Sequence, residues 1–234
     1  HLPTRRQRQM CIRDRMIYLI KILKKEFLIY SRKSSSFISP VVFFLISISL
    51  YPIGISNDPD ILKNLAPGLI WITVLLSTLI SFQNIFSEDY EDGSIELLLA
   101  SRQNLSLIVL VKIFVNWIFS CLPIIILSVS SVFLLYFPQE GLKPLIISLL
   151  IGTPTICLFG ALAGALSLGK NSITGPALML PLSLPVLILG TQAINYSLNG
   201  INFSSNILLL TAILVFLLPI ILFASVGALK LHFN

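Results

Sequence analysis

Long apolar runs alternate with short polar stretches along this chain. A helix that crosses a bilayer needs roughly 20 predominantly apolar residues. Six runs reach that length: Phe37–Ser56, Ile61–Phe82, Ile113–Phe137, Leu145–Leu168, Ile173–Ile194 and Ile207–Leu229. The alternation over about ten residues that marks a membrane β-strand is missing. The pattern predicts an all-α integral membrane protein with six transmembrane helices.

Ahead of the first run lies MIYLIKILKKEFLIYSRKSS, residues 16–35. Its apolar residues recur at helical spacing, with Lys21, Lys24, Lys25, Arg32 and Lys33 between them. That arrangement predicts an amphipathic helix lying along the membrane surface. Leu105–Lys112 is expected to form a similar elbow before the third span.

Composition agrees with the pattern. Of 234 residues, 56% are hydrophobic and 11% are charged, against about 25% charged in soluble domains. The formal charge of +6 is unevenly placed. Five of the sixteen basic residues and one of the ten acids fall in residues 1–15, which leaves eleven against nine from Met16 onward. That balance points to no nucleic-acid partner. Residues 1–15 share no composition with the rest and are expected to be a non-native or upstream leader without order. Residues 16–234 are expected to form a single six-helix membrane domain.

Six spans place both termini on one side. The side holding the N-terminus carries Lys21, Lys24, Lys25, Arg32, Lys33, Arg102, Lys112, Lys170 and Lys230, whereas the other carries Lys63 and Lys143. Cytoplasmic loops are the ones enriched in Lys and Arg, so both ends are expected in the cytoplasm. The outer loops, Asn57–Asp60, Pro138–Pro144 and Asn195–Asn206, are too short to form a binding domain.

One polar interruption stands apart. Phe86–Arg102, FSEDYEDGSIELLLASR, holds Glu88, Asp89, Glu91, Asp92 and Glu96 within nine residues. Such a segment cannot rest in hydrocarbon and must be an aqueous loop. Asp92-Gly93-Ser94 reads as a turn leading into a helix N-cap, followed by an amphipathic turn or two through Leu97, Leu98 and Leu99. A short folded loop that displays leucines has a partner to bury them. The alternative is a solvated charged loop.

Spans four and five carry unusual chemistry. Span four contains Gly152-Thr153-Pro154-Thr155, then Gly160 and Gly164, a G-x-x-x-G pair that admits close helix approach. Span five contains Pro176, Pro181 and Pro185, each of which removes an amide and frees a carbonyl, so a bend or break is expected. Tight packing is one reading of these residues; a hinge or substrate-facing surface is the other.

Enzymatic chemistry finds little support. The histidines are His1 and His232, at the two ends. Cys121 and Cys157 lie in apolar runs and show no metal-binding spacing, so they read as small hydrophobes. Gly164–Asn171 nearly matches a phosphate-binding loop, but Asn171 replaces the hydroxyl residue and no strand precedes it. No span carries an acid or histidine of the kind that relays protons in coupled transporters. What remains is a helical permease without its own energy source. The physical solution is a separate ATPase that grips the loop, with Glu88, Asp89, Asp92, Gly93, Ser94, Glu96, Leu97 and Leu98 as the coupling residues.

Several motifs, taken in order, resemble one family. They are Ala66-Pro-Gly-Leu-Ile-Trp71, Phe86-x-x-Asp89-x-x-Asp92-Gly93-Ser94-x-Glu96, Lys112 with Trp117, Gly152-Thr-Pro-Thr155, and Pro181-x-x-x-Pro185. From Met16 to Asn234 the chain resembles the cytochrome c biogenesis (haem exporter) membrane subunits of type B, CcmB, permease components of an ABC transporter. The resemblance implies a cytoplasmic ATPase, a haem-handling membrane subunit and a periplasmic haem chaperone as partners. It implies work in the maturation of c-type cytochromes, in the bacterial inner membrane or, alternatively, the mitochondrial one. Haem is then the species handled, with no cofactor bound directly by this chain; passage of haem through this subunit stays open. Pro67, Gly68, Gly152, Pro154, Gly160, Gly164, Pro181 and Pro185 become the packing or hinge positions, within the bundle or in a homodimer. A permease for a lipid or drug and a non-transporting scaffold are the alternatives.

The nine-to-two asymmetry yields a direct test. Alkaline phosphatase fused after Asn234 should be inactive, and a fluorescent protein fused there should be bright. The opposite pair of signals would invert the topology and move the acidic loop outside.

Overall fold

The computed structural model describes residues 20–32, 34–55, 58–82, 85–100, 104–168 and 174–231, with the side chains at 34–37, 88 and 98–100 outside that description. The segment 1–15, the decoy residues 169–171 and His232 therefore lie outside the described residues. All regular secondary structure among the described residues is helical. Helix α1 covers 20–32. It is followed by α2 (Ser34–Gly54), α3 (Pro59–Phe82), α4 (Ser87–Glu91), α5 (Ser94–Ala100) and α6 (Leu105–Asn116). A π-helical stretch, Trp117–Cys121, joins α6 to α7 (Leu122–Leu134). A single 3-10 turn, Gln139–Gly141, leads into α8 (Leu142–Ser167), and α9 (Thr174–Leu198) and α10 (Ser204–Leu231) complete the fold.

Five segments are long and apolar enough to cross a membrane: Pro59–Phe82, Leu105–Leu134, Gln139–Ser167, Thr174–Leu198 and Ser204–Leu231. In hydrocarbon every backbone amide and carbonyl must be satisfied within its own segment, and a helix does this by itself. The apolar part of α2, Ile38–Gly54, is shorter than these five.

Two sequence expectations change here. Leu105–Lys112 is not a separate elbow. It runs through the π-helical stretch into α7, so the segment expected to start at Ile113 starts at Leu105. Nothing in Leu105–Lys112 stops a helix, and six of its eight side chains are aliphatic. Likewise, α9 continues across Pro181 and Pro185 without a break. Pro176 falls in its first turn, where a missing amide costs nothing.

The bundle is built around α8, which packs against α3, α9 and α10. In its most apolar window 67% of residues are buried within the chain, against 17% for α10, so α8 is the central helix and α10 an outer one. The reason is side-chain size. Trp71 of α3 is fully buried, and its ring lies directly against Gly152 of α8 and Gly190 of α9. At either glycine a Cβ would collide with the indole. About two turns further along α8, a Cβ on Gly160 would stand 2.7 Å from Cγ of Phe82, and one on Gly164 would stand 3.1 Å from Ile85. The cleft that the G-x-x-x-G pair opens is thus filled by side chains from the end of α3, within the same chain.

Turn residues then set the helix ends. Gly200, at φ +71°, closes α9. Its N–H donates to the Ser197 carbonyl and that of Ile201 to the Tyr196 carbonyl, which satisfies the last turn of the helix.

Packing of this kind is testable by bulk. Gly160→Leu must displace Phe82 and should cost about 1–3 kcal/mol, the usual penalty of overpacking. Gly68, although it lies within α3, has open space around it. Gly68→Ala should therefore be neutral or stabilising by up to about 1 kcal/mol through helix propensity. Thermal unfolding midpoints of the detergent-solubilised variants should move in opposite directions or differ clearly; equal midpoints would mean the Phe82 contact carries no weight.

Candidate functional site

The acidic loop folds into a small helical hairpin. Helices α4 and α5 pack on each other across the turn Asp92–Gly93. Gly93 has φ +70°, a left-handed conformation that a side chain would strain. Its N–H donates to the Tyr90 carbonyl, and its own carbonyl accepts from the Leu97 N–H. The first bond of α5 thus starts at Gly93, which takes the cap position that the sequence assigns to Ser94; Ser94 is the first helical residue. The reason is the turn, since only residue 93 has left the helical conformation.

The hairpin has an inner and an outer side. Ile95 is buried, while Leu97 is 75% exposed. Asp92 and Glu96 are exposed beside it. Glu88 and Leu98 belong to α4 and α5, but their side chains lie outside the described residues. Asp89 points elsewhere. Its Oδ2 is in ion-pair contact with Nζ of Lys112.

Lys112 is the single charged residue between Leu105 and Leu134. Its side chain is 8% exposed, and a second acid, Glu26 of α1, brings Oε2 to 3.4 Å from its Nζ. Glu26 is itself buried. An ammonium removed from water at this cost needs a partner, and here two are supplied, by two elements distant in sequence. The Oε2 atom of Glu26 makes no hydrogen bond among the described residues. In α1 the side chains of Lys21, Lys24, Lys25 and Arg32 are exposed, and the buried one is the acid. Phe27 and Tyr30 extend the same contact onto Phe119 of the π-helical stretch, at ring separations of 4.8 and 6.0 Å.

A polar seam runs inward from this cluster. Lys112, Asn116 and Ser120 recur every four residues, which places them on one helix face. Thr73, Ser77 and Ser81 do the same on α3. The two rows meet. Ser81 Oγ donates to Asn116 Oδ1 at 3.0 Å and to Ser120 Oγ at 2.7 Å as alternative acceptors. Trp117 Nε1 donates to Thr153 Oγ1 at 2.9 Å, and Tyr51 shares a 2.6 Å hydrogen bond with Thr73. Asn116 Nδ2 and Ser77 Oγ are buried with no partner among the described residues. The seam coincides with the π-helical stretch, a device found often where a helix must do more than pack.

The remaining sequence-selected residues scatter. Pro67 is buried in α3, and Gly152, Gly160 and Gly164 line the aromatic cleft. Pro154 lines an apolar groove of about 340 Å³ between α6, α8 and α10, together with Phe114, Trp117 and Leu218. Pro181 and Pro185 face outward from α9. Cys121 and Cys157 are both buried free thiols. Their Sγ atoms lie 3.3 Å apart across two helices, where they pack as small apolar side chains. No cluster of three or more His, Cys, Asp or Glu suited to a metal exists among the described residues.

Sequence reasoning selected Asp89 without its partner and passed over Glu26, Asn116 and the polar seam. The four-residue spacing of Lys112, Asn116 and Ser120 was a usable signal. Nothing local could have joined Glu26 to Lys112, which lie 86 positions apart.

Long apolar helices, a charged helical hairpin between α3 and α6, and a buried ion cluster beneath it define a helical multi-pass membrane protein. Comparison with known proteins then gives the family. Residues 17–232 match the family model described as CcmB protein. Heme exporter protein B of Pseudomonas aeruginosa is 36% identical over 212 residues, covering 90% of this chain and 95% of that protein. The protein of the same name from Haemophilus influenzae is 34% identical over 221 residues, 94% of this chain and 100% of the relative. That of Escherichia coli K12 is 33% identical over 213 residues, 90% and 97% respectively. The chain belongs to the CcmB protein family.

The seam's contribution can be measured by a double-mutant cycle. Ser81→Ala and Asn116→Ala should each destabilise the detergent-solubilised protein, and their coupling should be about 0.6 kcal/mol and at most about 1.7 kcal/mol, the span found for interhelical hydrogen bonds in membranes. Strict additivity would show that the two rows touch without sharing energy.

Proposed function

We propose that this chain is the membrane permease subunit of a haem export complex that serves the maturation of c-type cytochromes. The relatives named heme exporter protein B carry this reading, because each aligns along nearly its whole length. Residues 16–234 act as one permease domain. Its α2 is the first of six spans, beside the five longer segments, and α1 lies at the membrane surface. Both termini face the cytoplasm of a bacterium, and the complex sits in the inner membrane.

A separate ATPase supplies the energy and docks on the α4–α5 hairpin. Leu97, exposed on a folded turn among Asp92 and Glu96, supports that reading. An apolar anchor ringed by charges is the usual form of a docking contact. The other partners are a haem-handling membrane subunit and a periplasmic haem chaperone, and a second copy of the chain completes the permease. Haem is the handled species rather than a resident cofactor. Glycines 152, 160 and 164 and the prolines of α8 and α9 give the bundle its close packing and its points of movement.

Deletion of the gene should abolish c-type cytochromes and leave b-type haem proteins intact. Wild-type chain supplied in trans should restore them. Leu97→Asp should still insert but should lower ATPase co-purification about tenfold or more, as loss of a central apolar anchor does. Normal c-type cytochromes in the deletion strain would sink the haem reading; full ATPase recovery with Leu97→Asp would sink the docking site.

A further inference from the structure

The cluster of Glu26, Lys112 and Asp89 contains one acid more than neutrality requires. A buried lysine is satisfied by one well-placed carboxylate, and here two stand by it, a buried one on Glu26 and a quarter-exposed one on Asp89. The two acids are not equivalent. Asp89 is in contact with Nζ, whereas Glu26 stands at 3.4 Å with Oε2 outside any hydrogen bond among the described residues. They also belong to elements with different freedom. Asp89 travels with the α4–α5 hairpin. Glu26 is set in α1, which Phe27 and Tyr30 fasten to Phe119.

We propose that Lys112 is a two-position latch. At rest it pairs with Asp89 and holds the hairpin against α6. When the ATPase displaces the hairpin, Asp89 withdraws and Lys112 pairs fully with Glu26. The ammonium is never left bare, so the exchange avoids the cost of an unpaired buried charge. Displacement of the hairpin is thereby passed to α1 and to the segment that carries Lys112, Asn116 and Ser120. Lys112 acts here as a positioning residue. This inference rests on the docking of the ATPase at the hairpin.

The test uses the whole complex in membranes, with three readouts: chain abundance, ATPase co-purification, and c-type cytochrome formed per ATP hydrolysed. Asp89→Asn keeps the Glu26–Lys112 pair and brings the cluster to neutrality. If the cluster were only packing, this variant would behave as wild type or gain stability. A latch locked in one position should instead keep abundance and ATPase binding while the yield per ATP falls about tenfold, within the ordinary span of coupling energies. The triple variant Glu26→Gln, Asp89→Asn, Lys112→Met should show the same split, since no charge is buried in it.

Wild-type yield per ATP in Asp89→Asn or in the triple variant overturns the latch. So does a fall in abundance of Asp89→Asn that accounts for the lost yield, because Asp89 would then be structural. Loss of ATPase co-purification in Asp89→Asn also overturns it, by making Asp89 part of the docking surface. The docking reading itself fails on a different observation, an ATPase that stays bound to Leu97→Asp.

Discussion

The bundle depends on one interlock, the large side chains of α3 lodged against the glycines of α8 and α9. Trp71 occupies the space that Gly152 and Gly190 leave free, and Phe82 does so at Gly160. In a membrane the apolar effect gives helices no reason to associate, since lipid tails are as apolar as leucine. Close fit and a few hydrogen bonds must do it. A glycine facing an aromatic ring gives the largest contact area for the smallest separation. That contact makes α8 the centre and leaves α10 with most of its surface outward.

The interlock also positions the chemistry. Phe82 ends α3, and the chain then turns into the α4–α5 hairpin, so the clamp on α8 anchors the root of the hairpin. Ile85 and Phe86 continue the contact onto Gly164. On another face α3 carries Thr73, Ser77 and Ser81, of which Ser81 bonds Asn116 and Ser120. One helix thus carries an apolar clamp on one face and a polar seam on another. The seam ends at Lys112, directly beneath the hairpin.

The π-helical stretch Trp117–Cys121 sits where these features converge. It carries Phe119 toward α1, Ser120 toward Ser81, and Cys121 toward Cys157. A regular α-helix turns each successive residue by a fixed angle. One wider turn resets that angle, so residues before and after it can each face their own partner.

Hydrophobic run length determined the helical membrane class, and the acid-rich interruption with Gly93 determined that a folded hairpin lies between two long segments. Both are local: a bilayer reads about 20 residues at a time, and a left-handed turn needs a glycine where it occurs. The motifs also placed the chain in its family. Only the tertiary structure decided what each signal touches. Gly160 and Gly164 read as a surface for another helix backbone and instead receive Phe82 and Ile85, because cleft filling depends on which side chain arrives from another helix. Lys112 read as a topological charge and is the centre of a buried cluster, because Coulomb attraction acts through space and Glu26 is far along the chain. The prolines of α9 read as a bend or a break, and one helix spans them without a break. Local propensity proposes such breaks, but in the absence of competing water a helix retains its remaining hydrogen bonds.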